Sequence, residues 1–562
     1  MSSLMTQEMR LRATPLAASQ LIYVSLALAL LTAIWFLLPA GRPLTHPDEG
    51  RYAEIPREML VSGDWVTPRL NDLPYLEKPP LQYWATALSY KVFGPSEWSA
   101  RLCLTLSAWL NVVLIFLLGR RLWDTGTGAI AAALLGSSLL YFVMGQLLTL
   151  DMTFTFLLTA MLCCFCMAQL NRISARRASG WWMLLSWAML GLAVMTKGIV
   201  ALLIAGSVLS IYMLWQRDWD AWRALRLLPG LAIVLIITVP WFVLASRANP
   251  DFLQFFFVHE HLQRYLTDNA DRVEAWWYFI AIFAAGTLPW TWQMSSALLR
   301  GWRTTAPRGQ FDVCRLLWVW CIFLMVFFSV SGSKLPPYIL PVLPALALLT
   351  AARQTSTPMR SLDLSAWILI ASAAALIAFT LIAPNALDNP VVRSTAYEAR
   401  PMAVAYALTA AVAALFYYRA AKKEQRVGSF VSLAVGWFLG LSLLFATVGR
   451  DGELRSGKDL TASIPTELAA RAPMFTVFTY DQTLPFYLQR TMILVEYRGE
   501  LDYGLQHEPE KGLGMEEFQQ RWRAAPEAIA IMPHLTYEQL TNVGLPMRVL
   551  GTDRYRVAVS RR

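Results

Sequence analysis

Residues 46–84 read HPDEGRYAEIPREMLVSGDWVTPRLNDLPYLEKPPLQYW. They follow an apolar run from Leu21 to Ala40 that is long enough to cross a bilayer. Between His46 and Glu77 the stretch holds seven carboxylates, Asp48, Glu49, Glu54, Glu58, Asp64, Asp72 and Glu77, interleaved with Arg, Trp and Tyr. A plain connection between two membrane spans needs neither adjacent acids nor proline-stiffened corners nor clustered aromatics. The stretch reads as an active site laid along a membrane surface.

The chain around it is built for lipid. Of its 562 residues 56% are hydrophobic and only 15% charged, which is the composition of a mainly α, polytopic membrane protein. About thirteen apolar segments predict about thirteen transmembrane helices, the shortest at 181–196 and 338–351. The first lacks a small-residue cleavage site and reads as a retained span. Basic residues gather in alternate loops: Arg10 and Arg12, Arg120 and Arg121, Arg172 to Arg177, Arg217 to Arg226, Arg300 to Arg315, Arg353 and Arg360, and Arg419 to Arg426. The positive-inside rule places these loops inside, and the loops at 41–97 and 246–275, with the C-terminal region, outside. The net charge of +10 is therefore a topology signal. Split among short loops, it offers no continuous patch for a nucleic acid. The six cysteines lie in or against spans and read as small apolar residues rather than disulfides or metal ligands.

At about residue 450 the composition changes. Residues 1–449 carry the spans. Residues 450–562 carry short β-like runs at 474–480, 491–497, 528–533 and 554–560, alternating with amphipathic stretches near 482–489, 514–524 and 535–542. That alternation predicts a small α/β domain on the outer side.

Three groups of outer-face residues carry chemistry. In the first, Asp48 sits at the break between a span and the next helix, where a carboxylate can be both dry and polarised. Arg51 and Tyr52 follow it, while Glu54 and Glu58, at helical spacing from Arg51 and Arg57, read as surface ion pairs. In the second, Tyr75, Glu77, Lys78 and Tyr83 surround Pro79 and Pro80, which fix an extended corner at the interface. Only eight of the 48 basic residues are lysine. Four of them, Lys78, Lys91, Lys197 and Lys334, fall on the outer side, where the topology rule gives no reason for them. A lysine at headgroup depth suits a lipid phosphate. The third group joins Lys197, the 246–275 loop with His259, His261 and Arg264, and Lys334 with Tyr338. Glu77 with His259 forms a candidate divalent-metal pair.

The Asp-Glu-x-Arg-Tyr at 48–52 and the Tyr-x-Glu-Lys-Pro-Pro-Leu-x-Tyr-Trp at 75–84, with Met-Thr-Lys-Gly at 195–198 and Ser-Lys-Leu-Pro-Pro-Tyr at 333–338, resemble the bacterial GT-C glycosyltransferases related to protein O-mannosyltransferases. Within that superfamily the chain is most similar to the lipid A aminoarabinose transferases, over its whole length. The resemblance implies a Gram-negative inner-membrane enzyme, active on the periplasmic face. It would move aminoarabinose from undecaprenyl phosphate to a lipid A phosphate, lowering affinity for polymyxin and other cationic peptides.

That chemistry needs cations where the leaving phosphate gains charge. Lys78 and Arg264 are the expected clamp, with Arg51 and Lys197 behind them, and Asp48 orients the acceptor or the sugar amine. Tyr52, Tyr75, Tyr83 and Tyr338 are expected to hold sugar or phosphate, and 81–93 to border the prenyl tail. The expected partners are the lipid-linked donor, lipid A and membrane lipids, with the chain acting as a monomer and no cofactor beyond the candidate metal ion. Two alternatives stand beside this reading. One is a protein O-glycosyltransferase of the same fold, where Asp48 would serve as base. The other is a transporter of polyprenyl-linked sugar, which would place ionisable groups at mid-membrane.

Overall fold

The computed structural model describes residues 18–174, 179–258, 274–303, 307–354, 363–386, 390–451 and 456–561. Eight helices among them are long and apolar enough to cross a membrane, and four shorter apolar helices lie beside them. Each of the thirteen apolar segments falls on helix. Two are broken: one at Ser138, whose backbone turns extended between Thr125–Ser137 and Leu139–Met144, and one at Pro289, between Tyr278–Gly286 and Thr291–Arg300. All six cysteines are free thiols.

The elements that matter here start and stop for local reasons. Helix α1 (Ala18–Leu37) leads into the first loop. Helix α2 (Asp48–Ser62) has Asp48 and Glu49 in its first turn, where acids complement the helix dipole. Gly63 ends it at φ +73°, a conformation that suits glycine. Helix α3 (Leu81–Phe93) starts directly after Pro79 and Pro80. Helix α4 (Glu97–Leu122) opens with a reciprocal cap between Ser96 and Ser99. Helix α5 (Asp151–Ile173) is the most buried of the eight long helices, so Asp151 at its start faces the interior of the site. Helices α6 (Ser179–Lys197) and α7 (Val200–Gln216) are joined by Gly198, at φ +80°, which leaves Lys197 at the very end of α6. Helices α8 (Leu227–Ala248) and α9 (Val313–Val330) follow. A hairpin of α10 (Pro390–Lys422) and α11 (Arg426–Asp451) closes the bundle.

Between α2 and α3 lies a two-stranded hairpin, β1 (Arg69–Leu70) and β2 (Leu73–Pro74). Its two turn residues, Asn71 and Asp72, both have positive φ, the requirement of the tightest hairpin turn.

The C-terminal region folds as the expected α/β unit. A six-stranded sheet runs in the order β5-β4-β3-β6-β8-β7. Strands β3 (Met474–Val477), β4 (Ile493–Val495), β5 (Gly512–Leu513) and β6 (Ile529–Pro533) are parallel neighbours; β7 (Arg548–Thr552) and β8 (Arg556–Ser560) close the edge antiparallel. Sequence pattern predicts four of the six. Strand β5 has two residues, too few for any periodicity, and the exposed edge strand β7 carries Gly551.

This domain is seated on the first loop. Asn71 exchanges two hydrogen bonds with the Met492 backbone, at 2.8 and 2.7 Å. Lys511 pairs with Asp72 at 2.7 Å, Arg69 with Glu508 at 3.0 Å, and Lys458 with Glu97 at 2.6 Å. At Gly50 the approach is closest: a Cβ there would come within 2.6 Å of the backbone of Gln482 and Thr483.

Candidate active site

The seven acids of the first loop are sorted by the fold into different tasks. Asp48 and Glu49 are successive residues of α2, so their side chains diverge by about 100°. Glu49 turns inward and is buried. Its carboxylate accepts from Arg42 at 3.0 and 3.1 Å, from Arg101 at 2.8 and 2.9 Å, and from the Leu148 amide at 2.9 Å. Burial alone would raise this carboxyl, but the Arg101 and Arg42 guanidiniums hold it well below the ordinary range. Glu49 thus fixes the start of α2 to α4 and to the segment leading into α5, and Asp48 is left facing the other way.

Glu54 and Glu58 correct the surface reading. Both are buried. Glu54 is clasped by Arg57, at 2.5 and 2.7 Å. Glu58 accepts the amides of Asn71 and Asp72 at 2.6 and 2.8 Å, so it caps the turn of the β1–β2 hairpin. Burial, with Glu54 alongside, pushes the Glu58 carboxyl well above the ordinary glutamate range. Asp64 accepts the amides of Val66 and Thr67 in its own turn, and Asp72 meets Lys511. Asp48 and Glu77 remain for the site.

These two open onto a cavity of about 400 Å³. Its charged wall comprises Asp48, Arg51, Glu77, Lys78, Asp151, Lys197 and Glu500; Leu150, Val200, Phe327, Phe328 and Pro337 form an apolar side, and Tyr52 and Tyr338 also line it. Arg51 is the hub. It pairs with Asp48 at 3.2 Å, forms a tighter ion pair with Glu500, and lies over the Tyr75 ring at 5.7 Å. Burial raises the Glu500 carboxyl above the usual glutamate range, against the pull of Arg51. Lys78 donates to the Glu77 carbonyl at 2.9 Å from the corner set by Pro79 and Pro80. Lys197 is in an ion pair with Asp151 and lies 4.6 Å from the Tyr338 ring centre and 5.5 Å from that of Phe154. Two buried hydroxyls on the wall, Thr149 and Ser333, have no hydrogen-bond partner among the described residues.

Of the residues singled out from sequence, Asp48, Arg51, Tyr52, Glu77, Lys78, Lys197 and Tyr338 therefore share one cavity. Tyr75 and Tyr83 are buried behind it, Tyr83 stacked on Tyr52 at 5.8 Å between ring centres. Lys334 lies off the wall: its ammonium is buried and donates to the Glu274 carbonyl at 2.9 Å. Arg264 and His259 lie outside the described residues, and with His259 goes the candidate metal pair. Among the described residues no three His, Cys, Asp or Glu side chains converge as ligands would. Sequence reading gave no site role to Asp151 or Glu500. Asp151 carried a signal, an acid at the start of an apolar span, whereas Glu500 lies in a polar turn with nothing in its neighbours to mark it.

The arrangement is suited to an amphiphile whose head carries both signs of charge, because cations and carboxylates alternate beside an apolar flank. Comparison with known proteins agrees with it. Residues 77–244 match the dolichyl-phosphate-mannose-protein mannosyltransferase family, and residues 460–561 the aminoarabinose transferase C-terminal domain. The undecaprenyl phosphate-α-4-amino-4-deoxy-L-arabinose arabinosyl transferase of Erwinia tasmaniensis is 32% identical over 547 residues, 94% of each chain. The second such transferase of Pseudomonas fluorescens is 38% identical over 336 residues, 58% of each chain. The crystal structure of ArnT from Cupriavidus metallidurans bound to undecaprenyl phosphate superposes with a TM-score of 0.87 at 35% identity, covering 97% of this chain and 99% of that one. The chain belongs to the undecaprenyl phosphate-aminoarabinose arabinosyl transferases, glycosyltransferases of the GT-C fold.

Proposed function

We propose that the protein transfers 4-amino-4-deoxy-L-arabinose from undecaprenyl phosphate to a phosphate of lipid A, on the periplasmic face of a Gram-negative inner membrane, and so confers resistance to polymyxin and other cationic peptides. The observation that carries this reading is the charge pattern of the cavity. Arg51 and Lys78 supply positive charge for phosphates, while Asp48, Glu77 and Glu500 supply more carboxylate than a neutral hexose would need. With Asp151 and Lys197 counted, four carboxylates face three cations on this wall, and that excess of negative charge favours a sugar bearing an ammonium group over the mannose-type donor of a protein O-glycosyltransferase.

In the reaction an oxygen of the lipid A phosphate attacks the anomeric carbon. The bond from that carbon to the undecaprenyl phosphate oxygen breaks, and its electron pair leaves with the phosphate. Lys78, Arg51 and, from the 246–275 loop, Arg264 stabilise the charge that develops there. The apolar side of the cavity limits screening by water, which strengthens their effect. A phosphate monoester has its second ionisation near pH 6, so the acceptor needs little deprotonation. Asp48 then orients the acceptor or the sugar ammonium and stabilises positive character at the anomeric carbon. The apolar flank of Phe327, Phe328 and Val200 receives the first prenyl units. The chain acts as a monomer.

The test uses full-length protein in vesicles with the aminoarabinose donor, lipid A and a periplasmic protein extract, read by mass spectrometry of lipid A and of the proteins. Aminoarabinose on lipid A alone is expected. Unmodified lipid A beside newly glycosylated protein overturns the assignment.

A further inference from the structure

At the opposite end of the molecule a second cavity, of about 690 Å³, runs between α10 and α11. Leu408, Val412 and Phe416 form one wall and Val431, Val435 and Leu439 the other. Its floor is narrow because the helices nearly touch there: a Cβ on Gly436 would meet the Ala413 methyl at 2.3 Å. The hydroxyls on the wall are already used within their own helices, Thr409 donating to the Tyr406 carbonyl and Ser432 to the Gly428 carbonyl, each at 2.8 Å. The trough is therefore apolar along its length. At one mouth it is not, for Arg419, Lys423 and Gln425 line it there and no carboxylate does. The nearby charges are Lys422, over the Tyr418 ring at 4.6 Å, Glu424 in the turn, and Arg426, which donates to the Gln354 carbonyl.

Helix rise sets the length. From Gly428 to Leu439, and from Ala420 back to Leu408, the trough runs about 16–18 Å, close to the roughly 15 Å depth of one leaflet's hydrocarbon. The basic mouth lies at the start of α11, whose far end leads into the C-terminal domain, so the mouth is at the membrane face away from the Asp48 cavity.

We propose that this groove is a binding site for an anionic phospholipid of the leaflet opposite the active site, one acyl chain lying in the trough and the phosphate held by Arg419 and Lys423. A trough one leaflet deep, apolar throughout and cationic only at headgroup level, matches a lipid in length and in charge. A helix of a second copy or of another membrane protein would match only the apolar walls. Basic pockets between spans are how membrane proteins hold anionic headgroups.

The test is native mass spectrometry of the full-length protein in detergent, exchanged against equimolar phosphatidylglycerol and phosphatidylethanolamine of matched chains. The parent should retain phosphatidylglycerol preferentially. Arg419→Gln and Lys423→Gln should each lower that retention about fivefold, with aminoarabinose transfer unchanged. Val435→Trp, which fills the trough, should lower retention of both lipids; Ser432→Phe does the same should the tryptophan variant not fold. Absence of any phosphatidylglycerol preference, full retention in the double glutamine variant, or a nanodisc mass of two chains that Val435→Trp reduces to one overturns the proposal.

Discussion

Removing the Glu500 carboxylate should disable the site from the far end of the sequence. Glu500 and Arg51 form an ion pair in which each side chain is only 14% exposed, whereas the other acid on Arg51, Asp48, is 52% exposed. Charge-assisted hydrogen bonds are worth about 1.5–3 kcal/mol, and stripping one partner from a fully buried pair costs about 3–5. For a pair with this residual exposure about 2–3 kcal/mol is appropriate. If Arg51 must be held for the leaving phosphate, the loss appears in kcat/KM as about 30- to 150-fold for Glu500→Ala. Glu500→Gln keeps the shape and an acceptor for Arg51, so it should lose about tenfold. Transfer to lipid A in vesicles measures both. A double-mutant cycle with Arg51→Ala should be strongly non-additive, since each variant breaks the same contact. Activity of Glu500→Ala within threefold of the parent, with Arg51→Ala inactive, would refute the claim that Glu500 positions Arg51.

Lys78→Ala should abolish transfer while the thermal midpoint in detergent stays within a few degrees, since the ammonium serves the phosphate more than the fold; loss of folding along with activity would remove that assignment. Gly50→Ala, normally worth up to about 1 kcal/mol of helix stability, should instead destabilise, because the added methyl meets Gln482 and Thr483 backbone; protease sensitivity of the C-terminal domain reads this out. Glu58→Ala strands the buried Asn71 amide at about 1–3 kcal/mol and frees the partly exposed Asp72 amide at less, and Glu58→Gln costs about half of the sum, so midpoints should order parent, Gln, Ala. Folding raises the Glu58 pKa, so the folded state binds the proton more tightly than the unfolded one. Its contribution is complete below about pH 4.5, the unfolded glutamate value, and is lost as pH rises through the folded value; Glu58→Gln should flatten that slope relative to the parent. Glu538→Cys, exposed in the C-terminal domain, should react with an impermeant maleimide in spheroplasts where Arg176→Cys does not; equal protection would reverse the topology.

Sequence carries the class, the α/β tail and most of the cavity wall, because polar chemistry beside long apolar runs is conspicuous: Asp48 sits at a helix break, and Lys78 and Lys197 fall on the face where the topology rule gives no reason for lysine. It fails where meaning depends on a partner far along the chain. Glu58 has the spacing of a solvated helix face, and the β1–β2 turn folding back onto it, together with residues 480–492 on top of α2, makes that face interior. Glu500 is one acid among many in a polar domain until folding sets it on Arg51. The adjacent Asp48 and Glu49 are equivalent as letters and opposite in role, since which of them meets Arg101 is a matter of helix phase.

The seat at Gly50 has a consequence in time. The first wall of the cavity leaves the ribosome early, and Glu500, which completes it, comes roughly 450 positions later, about 20–90 s at ordinary synthesis rates of 5–20 residues per second. Through that interval Arg51 has no Glu500, and the surface around Gly50 and Asn71 has no cover. The spans are all made before Glu500 is, so the cavity wall is complete only once the last domain has been made and has docked.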